Sequence, residues 1–453
     1  MKNKHILQFI LSLVMLVVVS SCKKYLEKKS DTSLVSPTTL IDMQGMLDDF
    51  YTMNSLTPSF GEASADDYFL LSTTYNAQSQ INQKAYTWSV DVYNYPNDWA
   101  YGYNPVYNAN YCLEQVERVA RTEQNKNAWD NVKGSALFYR AYYFLNLAWV
   151  FAKNYDAGSS QTDMGIVLRL AADFNLPSKR SNVQETYNQI ISDLDAAHQY
   201  LPATPLHTAR PSRAASFALL ARTYLCMGKY DSAYKYSDLA LQVKSDLLDY
   251  NDANEINPAS TAPFKPFNKE VIFFTTMSNV FSVKNPGIAL VDSLLYAGYN
   301  NNDIRKTVFF RTSGLYRRFK GSYAASPSIL FSGIAVDEVY LIRAECNARA
   351  GRVTQAMNDL NALLEKRWVA STFIPISAVS QQEAVNTILE ERRKELLMRG
   401  LRWSDIKRLN AEGRSISPKR LVGSEVYQLQ PREKRYALPL PNDIINLTGM
   451  QQN

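Results

Sequence analysis

The residues best suited to binding chemistry lie between positions 86 and 111, where nine of 26 residues are Tyr or Trp. The chain average of 12% aromatic residues would place about three there. Aromatic rings can stack on the C–H face of a sugar, and amide or carboxylate groups can hydrogen-bond its hydroxyls. The segment therefore favours a surface for a polar ligand, and an oligosaccharide or a peptide would suit it equally. The polar residues among the rings are Asn94, Asn97, Asp98, Asn104, Asn108 and Asn110.

One part of this segment has the spacing of a helix. Trp99, Tyr103, Tyr107 and Tyr111 recur every four residues, which predicts a helical face that packs against a core. Tyr93 and Tyr95 have no such spacing and surround Asn94 just before Pro96. We therefore expect these two rings to lie in a loop, where they are better candidates for ligand contact.

A second cluster of aromatic and amide residues occupies positions 296–303, inside a region rich in proline. Long irregular insertions on a regular scaffold are where binding groups usually lie. Ring chemistry and loop context together select a set of candidate ligand contacts, all of which we treat as predictions. They are Asp67, Tyr68, Tyr75, Trp88, Tyr93, Tyr95, Tyr296 and Tyr299.

The amino-terminal end has the pattern of a secretory signal. Lys2 and Lys4 precede an apolar run over residues 6–19, which is too short to span a bilayer, and two serines then precede Cys22. This arrangement looks like a lipobox, and that resemblance implies cleavage before Cys22 and acylation of its sulfur and amino group. Two or more acyl chains anchor a protein stably, at about 0.8 kcal/mol per buried methylene. An ordinary signal peptide with an incidental cysteine is the alternative.

Composition excludes several other classes of protein. The 453 residues are 46% hydrophobic and 20% charged, as in a soluble protein with a good core. The formal charge of +6 is too mild and too evenly spread to favour nucleic acid. Cys112, Cys226 and Cys346 form no CxxC pair, so we expect buried thiols rather than a disulfide framework. We expect no cofactor and no metal site.

The scaffold that must position the aromatic loops is a helical hairpin that occurs twice, over residues 217–240 and 340–363. The two copies keep small residues at matching positions, and Gly228 and Gly351 supply the turn between helices. Residues 133–152 and 183–200 predict another hairpin with a loop inserted between its helices. Such tetratricopeptide-like units must stack to bury their apolar faces. We therefore expect a predominantly helical fold of stacked hairpins, packed with an irregular region of loops and short strands.

Further motifs add to the lipobox at Cys22. They are Trp99 with Tyr107 and Asn110, residues 140–143, Asp303 with Arg305, and residues 338–345, 391–396, 400–408 and 438–453. Together these motifs resemble the SusD/RagB family of outer-membrane nutrient-binding lipoproteins of Bacteroidetes. The resemblance implies a signal peptide over residues 1–21, a lipidated tether over 22–37, and two SusD-like parts over 38–250 and 251–453, with an all-α fold of about four tetratricopeptide-like hairpins. It also implies a surface-exposed lipoprotein that lies over a SusC-like TonB-dependent transporter, binds oligosaccharide or peptide, and is not an enzyme.

Two other functions remain open at this point. Two carboxylates about 5 to 9.5 Å apart can hydrolyse a glycosidic bond, and Asp66, Asp67 or Asp98 could supply them in a lipid-anchored glycoside hydrolase. The sequence contains no GxSxG, HExxH or phosphate-loop pattern. A periplasm-facing tetratricopeptide-type adaptor with only protein partners is the third hypothesis.

Overall fold

The computed structural model describes residues 37–453, which contain seventeen α-helices and ten short strands. The predicted signal peptide, Cys22 and nearly all of the predicted tether lie outside the described residues. Residues Leu40–Asn453 form one compact unit, and the predicted division at residue 250 stays a prediction. The helices are α1 Leu40–Leu47, α2 Phe50–Asn54, α3 Phe60–Ser64, α4 Ser72–Asn76, α5 Gln80–Tyr86, α6 Asp98–Val116, α7 Lys126–Phe151, α8 Val183–Tyr200, α9 Arg213–Cys226, α10 Tyr230–Val243, α11 Ser293–Ala297, α12 Arg305–Val308, α13 Val336–Arg349, α14 Val353–Glu365, α15 Gln381–Glu395, α16 Arg402–Ala411 and α17 Asn442–Thr448.

The strands form five separate antiparallel pairs and no larger sheet within the described residues. The pairs are β1 with β5, β2 with β3, β4 with β8, β6 with β7, and β9 with β10. The strands are β1 Tyr68–Phe69, β2 Met164–Val167, β3 Arg180–Asn182, β4 Val271–Phe273, β5 Leu290–Val291, β6 Phe310–Ser313, β7 Tyr316–Phe319, β8 Ile334–Ala335, β9 Lys419–Val422 and β10 Glu425–Gln428. The predicted class, all-α with short strands in an irregular region, is confirmed.

The two predicted hairpins are α9 with α10 and α13 with α14, and in each the helices pack against one another. Gly228 and Gly351 have φ angles of +69° and +75°, in the left-handed region where glycine is favoured. Helix α10 also packs on α13, which joins the hairpins across the insertion between them. The prediction that these units stack is therefore confirmed.

Helices α6, α7 and α8 pack in succession and lead into α9. The segment between α7 and α8 contains the β2–β3 pair, and Asn182 at its end caps α8. The Asn182 side chain accepts a hydrogen bond from the Glu185 amide, and the Glu185 carboxylate accepts one from the Asn182 amide. This capping box fixes where α8 begins. Because α7 and α8 pack against one another with the β2–β3 segment between them, the predicted hairpin with an inserted loop is confirmed.

Two segments contain elements that no sequence pattern indicates. Residues 55–75 contain α3, β1 and part of α4, and the carboxy-terminal segment contains α17. These elements are two to seven residues long, too short for a periodic pattern to emerge from the sequence. The predicted buried thiols of Cys112, Cys226 and Cys346 are confirmed. None of the helices in residues 37–453 is both long enough and apolar enough to cross a membrane.

A buried ionic network joins the irregular region to the helical stack. The Arg305 guanidinium lies 2.6 Å from an Asp303 oxygen and 2.9 Å from a Glu395 oxygen. Arg367 bridges Glu395 and Glu270 at 2.7 and 2.8 Å. These side chains are fully or almost fully buried. Each charge therefore depends on its partners in place of water, and the removal of one partner leaves the others uncompensated.

We expect Arg305→Met to lower the free energy of unfolding by about 3 to 5 kcal/mol, because it leaves buried carboxylates without their main counter-charge. Urea unfolding followed by circular dichroism measures the change. Lys126→Met is the control, since Lys126 forms an exposed pair with Glu123 at 2.7 Å and should cost less than about 1 kcal/mol. Equal small losses in both variants would show that the buried network does not hold the two regions together.

Candidate functional site

A groove with a volume of about 760 Å³ runs along α6. Its other walls are the loop of residues 168–178 and helix α17, which the carboxy-terminal segment contributes. A groove of this size lies within the range that holds small ligands. Its aromatic lining consists of Trp99, Tyr103, Tyr107 and Phe174, and its amide lining includes Asn104, Asn108 and Asn110.

The rings of α6 form a row along the groove. Trp99, Tyr103 and Tyr107 are four residues apart, a rise of about 6 Å per step. The Trp99 and Tyr103 ring centroids are 4.8 Å apart, and Trp99 also packs edge-on against Phe151 at 5.1 Å. The Tyr103 hydroxyl donates to the Val167 carbonyl at 2.7 Å and accepts from the Val167 amide at 3.0 Å. Trp99 and Tyr103 are therefore held in fixed orientations.

The opposite wall presents an exposed ring to the same groove. Phe174 is 76% exposed and stacks on Tyr107, with ring centroids 4.7 Å apart and ring planes 21° apart. Arg169 closes the loop that carries Phe174, since its guanidinium donates to the Leu176 carbonyl at 2.6 Å and the Ser178 hydroxyl at 2.5 Å. The two walls therefore meet through stacked rings at this point, and most of the Phe174 ring stays exposed.

A hydrogen-bonded chain ties this loop to the helices behind it. The Asn110 amide nitrogen donates to the carbonyls of Arg169 and Ala171, at 2.8 and 3.3 Å. The Asn110 oxygen accepts from Arg140 at 3.0 Å, and Arg140 forms a two-bond pair with Asp193 at 2.8 and 2.6 Å. The side chains of Asn110, Arg140 and Asp193 are buried. We name these three residues the Asn110 relay, because they connect α8, α7 and α6 to the groove wall.

Tyr95 is a loop residue that is 66% exposed. Its ring meets Tyr101 edge-on at 6.1 Å. Its backbone amide donates at 3.3 Å to the carboxylate of Asp443 in α17. Tyr95 therefore keeps an exposed ring beside α17 but does not line the groove, and its role in ligand binding stays a prediction.

Five of the predicted ligand contacts are buried, and we correct the prediction for them. Asp67, Tyr68, Trp88, Tyr93 and Tyr299 are between 1% and 7% exposed, so their side chains offer no free face to a ligand. Each also uses its polar group inside the protein. Asp67 pairs with Arg393. The other four side chains donate to backbone carbonyls: Tyr68 to Ala63, Trp88 to Ser64, Tyr93 to Pro439, and Tyr299 to Lys394.

Tyr75 and Tyr296 are half-buried and do not line the groove. Tyr75 packs against Tyr86 at 5.7 Å. The Tyr296 ring lies 4.9 Å from the Arg317 guanidinium and 5.4 Å from the Lys306 amine. The structure therefore does not bring these two rings together with Tyr95, and their role in ligand binding stays a prediction.

The sequence analysis assigned Tyr103 and Tyr107 to the core, and the structure corrects this. The four-residue spacing does mark a helix face, but the two rings are half-buried and line the groove beside Trp99. The alternation of these rings with Asn104 and Asn108 is the signal that could have identified them, because a core face does not need amides at its edge. Phe174 had no comparable signal, since it lies within a long loop.

The carboxylates considered for hydrolysis are occupied in structural contacts. Burial acts to raise the pKa of Asp66, but the charge and hydrogen bond of Arg402, at 2.6 Å, hold that pKa below its usual range. Asp98 is buried, which raises its pKa, and it accepts hydrogen bonds from the amides of Ser59 and Phe60 at 2.8 and 2.7 Å. Neither carboxylate lines the groove. Nothing in this arrangement supports a glycoside hydrolase.

Comparison with known families decides the family of this chain. Residues 24–225 match the SusD-like family model described as "Starch-binding associating with outer membrane", and residues 336–453 match the model of the SusD family that is labelled SusD_RagB. The chain belongs to the SusD/RagB family. It is also similar to SusD-like protein P2 of Formosa agariphila, with 24% identity over 413 residues that cover 78% of this chain and 79% of that protein.

Solved structures of the SusD superfamily share this fold. One from Bacteroides thetaiotaomicron has a TM-score of 0.75 and 19% identity, and the match covers 92% of this chain and 99% of that chain. A laminarin-binding SusD-like protein has a TM-score of 0.65 and 18% identity, with 91% and 97% of the two chains covered. At these identities the likeness establishes the fold of this SusD-family protein and not its ligand.

The Asn110 relay makes a testable prediction about the groove wall. Asn110→Ala removes the donor to two loop carbonyls and the acceptor of a buried guanidinium. The free energy of unfolding should therefore fall by about 1 to 3 kcal/mol, and residues 168–178 should become more mobile. Hydrogen–deuterium exchange should show faster exchange in this loop. Asn104→Ala is the control, because Asn104 is exposed on the same helix. Unchanged loop exchange in Asn110→Ala would contradict the role of the relay.

Proposed function

We propose that this SusD-family protein is a surface-exposed outer-membrane lipoprotein that binds an oligosaccharide nutrient in the groove along α6. It then passes the nutrient to a SusC-like TonB-dependent transporter. The observation that carries the proposal is the aromatic lining of the groove, in which the half-buried rings of Tyr103 and Tyr107 and the exposed ring of Phe174 can meet a ligand. A peptide is the other nutrient that such a surface could hold.

The lining chemistry suits a sugar chain. Ring faces favour the C–H faces of sugars, while amides donate to and accept from hydroxyl groups. Asn104 is exposed, and the Asn108 amide nitrogen contacts only the weakly accepting sulfur of Met53, at 3.8 Å. Both amides therefore keep hydrogen-bonding capacity for a ligand. The laminarin-binding relative supports the choice of an oligosaccharide over a peptide.

The proposed location rests on the amino-terminal sequence and the family. Cys22 follows the signal-like segment, and the family description includes association with the outer membrane. Residues 22–37 would then connect the lipid to the folded unit. Orientation toward the exterior and contact with a SusC-like transporter are part of the proposal, and both follow from the family resemblance. We propose binding without catalysis, since the carboxylates considered for hydrolysis are engaged elsewhere.

The groove predicts a specific loss of binding. We expect Tyr107→Ala/Phe174→Ala to weaken oligosaccharide affinity about tenfold, because two stacking faces worth about 0.5 to 1.5 kcal/mol each are removed. A glycan array identifies the ligand, and calorimetry with that glycan measures the affinity of the variant. The melting temperature should change little, because Phe174 is largely exposed and Tyr107 is half-buried.

Tyr427→Ala provides the matched control, since Tyr427 is a partly exposed tyrosine on β10 that does not line the groove. Its affinity should equal that of the wild type. If the groove variant bound as tightly as this control, the ligand would have to occupy another surface. A wild-type protein that bound no glycan and no peptide would overturn the proposed function itself.

The proposed anchor and orientation predict two results in cells. A palmitate analogue should label the wild-type protein, and Cys22→Ala should remain unlabelled, because acylation of this thiol supplies the membrane attachment. Protease added to intact cells should digest the wild-type protein at the surface. Complete protection, with a periplasmic marker equally protected, would favour the periplasm-facing adaptor, and release of unlabelled wild-type protein into the medium would exclude a lipid anchor.

A further inference from the structure

A second pocket, with a volume of about 440 Å³, adjoins the groove along α6. Ser178 and Thr448 line both cavities, so the two are neighbours. The second pocket lies between the β2–β3 pair and the carboxy-terminal segment. Its lining contains no aromatic side chain among the described residues, but it contains Lys179 and Arg180.

Arg180 lines this second pocket without a carboxylate partner among residues 37–453. Its guanidinium donates to three backbone carbonyls, those of Gly165 at 2.9 Å, Phe151 at 3.0 Å and Gln451 at 3.3 Å. Burial lowers the pKa of Arg180 to about 10, so it stays charged at neutral pH. A guanidinium has five N–H donors, so two remain for a ligand. The carbonyls therefore orient the cation without neutralising it.

The neighbouring side chains leave the pocket positive. Lys179 is exposed and forms no ion pair with the described residues. Asp163 is the acidic residue of the lining, and it is paired with Lys153 at 2.5 Å and accepts a hydrogen bond from Ser159 at 2.6 Å. Lys179 and Arg180 thus line the pocket, while the Asp163 carboxylate is neutralised by Lys153.

The groove itself has the opposite charge balance. Asp49 and Asp173 line it, and both are exposed. Arg169, its cation, donates to a carbonyl and a hydroxyl that close the loop. An anionic group would therefore be disfavoured over the aromatic row and favoured beside Lys179 and Arg180. A chain that reached from the groove into the adjoining pocket would have its register fixed by this change of charge.

We propose that the second pocket is a subsite for an anionic substituent, a carboxylate or a sulfate ester, on an oligosaccharide whose neutral units lie in the groove. This inference rests on the proposed function and names the substrate class as acidic oligosaccharides. Arg180 supplies oriented donors and Lys179 supplies charge at the mouth. Lys179 is therefore a specificity-determining residue, while Arg180 also holds the pocket together through its three carbonyl contacts.

The test uses monosaccharides, so that it does not depend on the sequence of the natural glycan. Glucuronate, glucose 6-sulfate and glucose are titrated separately into the purified mature protein at constant ionic strength. Saturation-transfer NMR follows the binding of each sugar. At least one of the two acids should bind more tightly than glucose. Lys179→Ala should weaken that binding about threefold, the effect of one solvent-exposed charge, and Lys179→Arg should restore it.

A matched variant separates this subsite from general charge. Lys269→Ala removes an exposed lysine of the irregular region and should leave the affinity for the acids unchanged. The preference for an acid should shrink as sodium chloride is raised, since salt screens exposed charges.

The outcomes distinguish the two anions and the two proposals. Preference for glucuronate alone assigns the subsite to carboxylates, and preference for glucose 6-sulfate alone assigns it to sulfate esters. If neither acid bound more tightly than glucose, or if Lys179→Ala bound the preferred acid as the wild type does, the subsite would be refuted. The groove would still be tested separately by neutral oligosaccharide binding and its sensitivity to Tyr107→Ala/Phe174→Ala.

Discussion

The buried pair of Arg140 with Asp193, extended through Asn110 to the carbonyls of residues 169 and 171, is the contact on which the groove depends. A buried guanidinium without its partners is strongly destabilising, so these side chains must meet when the protein folds. Their meeting fixes α6, α7 and α8 relative to one another. It also places the loop that carries Phe174 opposite the rings of α6.

The remaining architecture divides support from binding. The hairpins form the support, and the buried ion pairs of Arg305 and Arg367 join the irregular region to it, with each charge relying on its partners in place of water. The groove is built from segments far apart in the chain. The Tyr93 backbone amide donates to the Asn442 side-chain oxygen at 3.2 Å, and the Asn442 backbone amide donates to the Tyr93 carbonyl at 2.9 Å. These two bonds hold α17 against the segment preceding α6. Binding groups therefore lie on loops and a short helix held by a regular scaffold.

The fold was largely predictable from the sequence, but the site was only partly so. The hairpins are marked by local signals, namely Gly228 and Gly351 at matching turns and small residues at fixed offsets. The rings of Tyr103 and Tyr107 follow the same period whether they face a core or a groove, so spacing alone could not assign them. Trp88 and Tyr93 are buried because distant backbone carbonyls accept their polar hydrogens, a tertiary arrangement with no local signature. Helix α17 is too short to give a periodic pattern.

The central claim is that an oligosaccharide lies along α6 against these aromatic rings. A crystal structure of the protein with an oligosaccharide that it binds tests this claim most directly. The account predicts sugar rings stacked over Tyr103, Tyr107 or Phe174, with hydroxyl groups hydrogen-bonded to Asn104 or Asn108. An oligosaccharide bound to another surface, with the groove along α6 filled only by water, would contradict it.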